Sequence, residues 1–105
     1  MKELKKMLST PIVLEQCAEE CSELTHASLK LARKLRGENP TPAEYKDIVE
    51  VVTEEIADVY LCIDLVIDAL NIPARKLLDI EEKKKERWAK RMKEMEKDDG
   101  DKEKA

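Results

Sequence analysis

Four acidic residues in two pairs carry the clearest chemistry in this sequence: Glu20 with Glu23, and Glu55 with Asp58. Each pair is spaced by three. On an α-helix that spacing brings both carboxylates to one side, which is how a helix presents several oxygens to one hard divalent cation. The midpoint of 20 and 23 and the midpoint of 55 and 58 are equidistant from Asn39. If two helices fold back antiparallel about that point, the pairs meet at one level, about 26 Å from the turn at about 1.5 Å per residue. With 24 acidic residues in the chain, either pair alone fits an ordinary solvated face. The shared level sets them apart, and so does Glu55, which falls in the middle of an apolar stripe where a carboxylate is costly without a compensating positive charge. The single histidine, His26, and the lack of a GxSxG or P-loop sequence leave a catalytic triad or Walker-type mechanism without residues.

The elements that must position these acids are helices. Two glycines, no phenylalanine and a charged fraction of 42% fit long helices and not sheets, so the fold class is all-α. Thr10 and Pro11 form a helix-start signal, and the first helix is expected to run to about Arg36, with Gly37 as a left-handed C-terminal residue. Asn39-Pro40 then forces an extended step. Thr41 to Glu44 reads as a capping box for a second helix to about Leu70. Asn71, Ile72 and Pro73 interrupt the chain, and a third helix carries Leu77, Leu78, Ile80, Trp88, Met92 and Met95. The expected organisation is a single domain over residues 1–97, with 98–105 a charged disordered tail.

At 100° per residue the second helix gathers Ile48, Val51, Val52, Val59, Cys62, Ile63, Val66 and Leu70 on one stripe around Glu55. The first gathers Leu14, Cys17, Cys21, Leu24, Ser28, Ala32 and Leu35, with Glu20 at the edge and Glu23 about 60° further round. Cys17, Cys21 and Cys62 read as small core residues. A zinc site from them with His26 lacks the usual CxxC or paired-histidine spacing. A net charge of −4 speaks against gripping nucleic acid or an anionic membrane, so a phosphate-bearing ligand needs a cation as bridge. No export signal or membrane span is apparent, and a cytoplasmic location is expected.

The segments EECSEL (Glu19 to Leu24) and EEIADVYLCID (Glu54 to Asp64) resemble the paired ExxE and ExxD motifs of the MazG-like nucleoside triphosphate pyrophosphohydrolases. The resemblance covers about residues 12–92, including a basic face on the third helix. It implies an α-helical homodimer or homotetramer that hydrolyses a nucleoside triphosphate at the α-β linkage, releasing monophosphate and pyrophosphate. It also implies magnesium, or manganese, held by Glu20, Glu23, Glu55 and Asp58, one of which, or a neighbour, orients the water. Magnesium suits a few carboxylates plus waters and phosphate oxygens, and it lowers the pKa of a bound water. Phosphoribosyl-ATP pyrophosphatase resembles the same superfamily, so substrate class stays open. An alternative of another kind is a non-enzymatic interaction module whose acids make interhelical ion pairs.

Lys84, Arg87 and Arg91 recur at helical spacing and could meet the outer phosphates. Spacing alone favours the plainer reading, a solvated face balanced by Glu81 and Glu86. Lys30 is a further candidate with the same ambiguity. Trp88 reads as a packing anchor before a base-stacking platform, and His26 as a surface residue. Residues 59–70 are apolar on nearly every side except Asp64 and Asp68, more than one hairpin and a thin third helix can cover, so a helical bundle completed by oligomerisation is expected.

Overall fold

The computed structural model describes residues 2–38 and 42–104, with side chains for 3–38 and 42–100. Among them every regular element is an α-helix: α1 (Lys2–Met7), α2 (Thr10–Arg36), α3 (Tyr45–Ala69) and α4 (Ala74–Lys104). None is long and apolar enough to cross a membrane. The chain divides into two units, Met1–Asn71 and Ile72–Ala105.

Helix α2 starts one residue before the sequence signal. Ser9 is the extended N-cap residue (φ −72°, ψ 157°), and Pro11 sits in the first turn, where its missing N–H costs nothing. Its end matches the expectation at Gly37, which adopts φ 72°, ψ 11°. There the Gly37 N–H donates to the Lys34 carbonyl (3.2 Å) and the Glu38 N–H to the Arg33 carbonyl (3.1 Å). These two bonds make a Schellman turn, which closes carbonyls that the helix end would leave open.

Asn39, Pro40 and Thr41 lie outside the described residues, and with them the Thr41 half of the expected capping box. Helix α3 begins at Tyr45, later than that box implied. Glu44 is itself the extended N-cap residue (φ −76°, ψ 151°). Residues 42 and 43 form a bend, and Ala43 lines a recess with Ala27, Ile48 and Val51, so the chain turns before the helix begins. Helix α3 closes at Leu70, and Asn71 follows at φ 52°, a left-handed value that asparagine tolerates.

Helices α2 and α3 are antiparallel: Val13 lies beside Leu65 at one end of their contact, and Ala27 beside Ile48 at the other. The buried core is Val13, Ala27, Ile48, Val59, Cys62 and Leu65. Burial of each larger aliphatic contributes about 1.5–3 kcal/mol. The basic lead forms helix α1, which sequence reading left without structure, and Lys5 Nζ meets Asp68 Oδ2 of α3 at 2.9 Å. Both side chains are partly exposed, so the pair contributes at most about 1 kcal/mol.

Helix α4 continues to Lys104, through the segment expected to fray. Glutamate and lysine lose little rotamer freedom in a helix, and Arg75–Asp79 (3.6 Å) and Glu81–Lys85 (3.2 Å) are paired one turn apart.

The left-handed cap is directly testable. A Cβ at Gly37 would meet nothing within 4 Å, so Gly37→Ala carries only the backbone strain, about 1–2 kcal/mol. The urea midpoint should fall accordingly at unchanged m-value, with a smaller loss for Gly37→Asn.

Candidate metal centre

The seam between α2 and α3 follows a heptad pattern. On α2 the inward positions are Val13, Cys17, Glu20, Leu24, Ala27 and Leu31; on α3 they are Ile48, Val52, Glu55, Val59, Cys62 and Val66. All of these are buried or half-buried. The α2 face is therefore rotated from the stripe read in the sequence. Leu14 is 42% exposed and Leu35 is 67% exposed, whereas Glu20, expected at the edge, stands in the seam. Small side chains explain the rotation, because Ala27 lets the helices approach closely where a leucine would hold them apart. Cys21 consequently lies outside the core and is exposed; only Cys62 is buried, with Cys17 half-buried.

Glu20 and Glu55 thus occupy facing seam positions. One oxygen from each, and one from the exposed Glu23, lie within 4.8 Å of one another. Two oxygens on one octahedral magnesium are at most about 4.2 Å apart, given Mg–O of about 2.1 Å, so small side-chain rotations bring the three onto one ion. The donor set is compatible with a hard cation: magnesium is commonly held by one or two carboxylates with waters and phosphate oxygens, and three carboxylate oxygens could serve it here. Oε2 of Glu20 and Oε2 of Glu55 are shielded from solvent and have no hydrogen-bond partner among the described residues. The other Glu20 oxygen accepts a bond from Gln16 Nε2 at 2.9 Å. Sequence reading missed Gln16, although its spacing of four from Glu20 was the available signal.

No ion pair among the described residues reaches this cluster. Partial burial, then the charges of Glu23, Asp58, Glu20 and Glu54, push the Glu55 carboxyl above its ordinary value. Asp58 stands outside the group of three and is exposed, yet close enough for its charge to raise both Glu55 and Cys62. Burial is the main cause of the raised Cys17 and Cys62 thiols. The cysteines with His26 form no grouping of metal-ligand geometry; the acids do.

Lys30 lines a recess of about 330 Å³ with Ala27, Ala43, Asp47, Ile48 and Val51. The lining begins four residues beyond Glu23 on α2 and ends four before Glu55 on α3. On α4, Lys84, Arg87 and Arg91 surround a shallow recess with Trp88. Trp88 is 69% exposed and is no packing anchor within the chain. Glu81 pairs with Lys85, and none of the three cations makes an ion pair among the described residues. The balancing partners anticipated for this face are therefore not engaged.

No family model matches the chain, and neither a curated protein nor a solved structure gives a match.

The raised Glu55 carboxyl fixes the sign of a pH effect. Its folded value lies above 4.5, so the ionised group opposes folding at neutral pH, and the opposition disappears as pH falls through the folded value. Without divalent ions, this group's contribution makes stability rise as pH is lowered from neutral toward 4.5. Urea midpoints of wild type and Glu55→Gln across that range should differ most at neutral pH, with Gln the more stable, and converge in acid. Parallel curves would contradict the arrangement.

Proposed function

We propose that this protein is a magnesium-dependent nucleoside triphosphate pyrophosphohydrolase of the MazG-like kind, cutting the α-β linkage to give nucleoside monophosphate and pyrophosphate. The observation that carries the reading is the convergence of one carboxylate oxygen each from Glu20, Glu23 and Glu55, with Glu20 and Glu55 each also keeping a shielded oxygen that has no hydrogen-bond partner among the described residues. Unpaired buried carboxylate oxygens are costly, and a cation is the natural compensation where no ion pair among the described residues reaches them. EECSEL and EEIADV, at matching levels of the hairpin, supply the reaction class.

In this reading Glu20 and Glu55 hold magnesium, or manganese, from the seam, where packing fixes their backbones. Glu23 and Asp58 complete the donor set from the solvent side. A cation so held supplies phosphate charge neutralisation and a more acidic water. One of the four carboxylates, or a neighbour, orients that water toward the α-phosphorus. Lys30 in the first unit, and the Lys84, Arg87 and Arg91 face as a surface of the second, are the candidate phosphate-binding cations, the arginines offering paired donors.

Assembly belongs to the same proposal. Helix α3 carries a second apolar stripe about a quarter-turn from the seam, made of Ile56, Tyr60, Ile63, Ile67 and Leu70. Tyr60 is 68% exposed and Ile63 is 40% exposed. No side chain in the described chain is less than 2% exposed, so the hairpin alone has a thin core. A homodimer or homotetramer in which hairpins pair along this stripe covers it. A cytoplasmic location fits a nucleotide substrate.

Millimolar magnesium should raise the thermal midpoint of the wild type, and Glu55→Gln should abolish the gain. Incubated with a panel of canonical and modified nucleoside triphosphates, the protein should release pyrophosphate; orthophosphate alone would exclude α-β cleavage. Light scattering at micromolar concentration should give a multiple of the chain mass, reduced by Ile63→Lys.

A further inference from the structure

We propose that Cys21, Cys17 and Cys62 form a thiol relay that reacts with peroxides and ends in a disulfide between Cys17 and Cys62, stapling α2 to α3 beside the acid cluster. The three thiols run from surface to core: Cys21 is exposed, Cys17 half-buried and Cys62 buried. Cys17 and Cys21 stand one turn apart on α2, close enough for the Cys17 thiol to feel the charge of Cys21. Cys62 is within electrostatic reach of Cys17 and, less strongly, of Cys21.

The helix register places Cys17 opposite Cys62 independently. Val13 lies beside Leu65, and Glu20 meets Glu55. Cys17 falls between Val13 and Glu20 on α2, and Cys62 between Glu55 and Leu65 on α3, both at inward positions. Packed helices with axes about 8–10 Å apart and Cα radii of about 2.3 Å bring facing Cα atoms to roughly 3.5–5.5 Å. A disulfide needs Cα atoms about 4.4–6.8 Å apart, so the two ranges overlap. Cys17 and Cys21 are less well matched, because residues four apart on a helix hold their Cβ atoms about 5–6 Å apart, whereas a disulfide requires about 3.5–4.5 Å. A bond between them distorts the turn that carries Glu20, and this strain drives its transfer across the seam.

The steps balance. The sulfur of Cys21 attacks a peroxide, the O–O bond breaks, and Cys21 becomes a sulfenic acid as alcohol or water departs. The Cys17 thiol displaces the sulfenic oxygen as water, forming the strained disulfide with Cys21. The Cys62 thiol then attacks the Cys17 sulfur, forming the interhelical disulfide and returning Cys21 as a thiol. Overall, one peroxide is reduced by two electrons and two thiols are oxidised.

The full chain treated with a stoichiometric amount of hydrogen peroxide should lose about 2 Da, and peptide mapping with fragmentation should find Cys17 joined to Cys62. The oxidised protein should melt several degrees higher, reversibly with dithiothreitol. Cys21→Ser should slow formation of this link at least tenfold with peroxide. Cys62→Ala should halt at a Cys21 species trapped by a sulfenic-acid reagent or as the strained disulfide with Cys17. Unmodified wild type, a stable sulfenic acid on wild-type Cys21, a persistent Cys17–Cys21 disulfide, or links only between chains would each overturn the proposal. The wild-type peptide map decides it even if a variant fails to fold.

Discussion

Two carboxylates face each other across the α2–α3 seam with no ion pair to either among the described residues. Glu20 and Glu55 take positions that the heptad pattern reserves for aliphatic side chains, and each keeps one oxygen away from water and without a hydrogen bond among the described residues. Leucine at both positions would pack better and carry no desolvation cost. The hairpin accommodates the acids because it is clamped elsewhere, by Val13 with Leu65 toward one end and Ala27 with Ile48 toward the other. Local instability at the centre is thus supported by ordinary packing on both sides, the arrangement expected of a functional centre.

The inner and outer acids are not equivalent. Glu20 and Glu55 are half-buried and fixed by the seam; Glu23 and Asp58 are exposed and keep rotamer freedom. Glu23 already joins the group of three and Asp58 does not. Two fixed and two adjustable carboxylates would leave an ion, were one held there, open on its solvent side. The spacing of three generates this division: when the first residue of each pair lies in the seam, the second is turned about 60° outward.

Much of this was legible from spacing. The common level of the two pairs followed from simple counting, because a hairpin of two uninterrupted helices converts sequence distance from the turn directly into height. The left-handed closing residue Gly37 was legible because such backbone selects glycine; Asn71 was read only as part of a chain break, and its left-handed φ is a finding of the structure. What spacing could not show was which way α2 is turned about its axis. Leu14 and Leu35 drew the expected stripe toward themselves, but close approach at Ala27 and burial of Val13 set the actual contact line and moved Glu20 from its edge into it. The start of α3 was misjudged for a related reason: the capping signal is local, whereas the bend at 42–43 brings Ala43 to a recess shared with Ala27 of the opposite helix.

The same rotation that admits Glu20 to the seam leaves large apolar side chains elsewhere without cover. A single α2–α3 contact uses one stripe of α3, and the stripe of Ile56, Tyr60, Ile63, Ile67 and Leu70, about a quarter-turn round, stays largely exposed. Along α4, Leu77 and Ile80 precede the cations Lys84, Arg87 and Arg91, and Met95 follows them, all on one face. That order, apolar then charged then apolar, is also the order along the seam of α3, with the opposite sign at its centre. A face so built packs well only against a surface whose charges compensate its own, since burying unpaired cations is as costly as burying unpaired carboxylates. Any surface that covers the charged centre of α4 must therefore carry compensating negative charge.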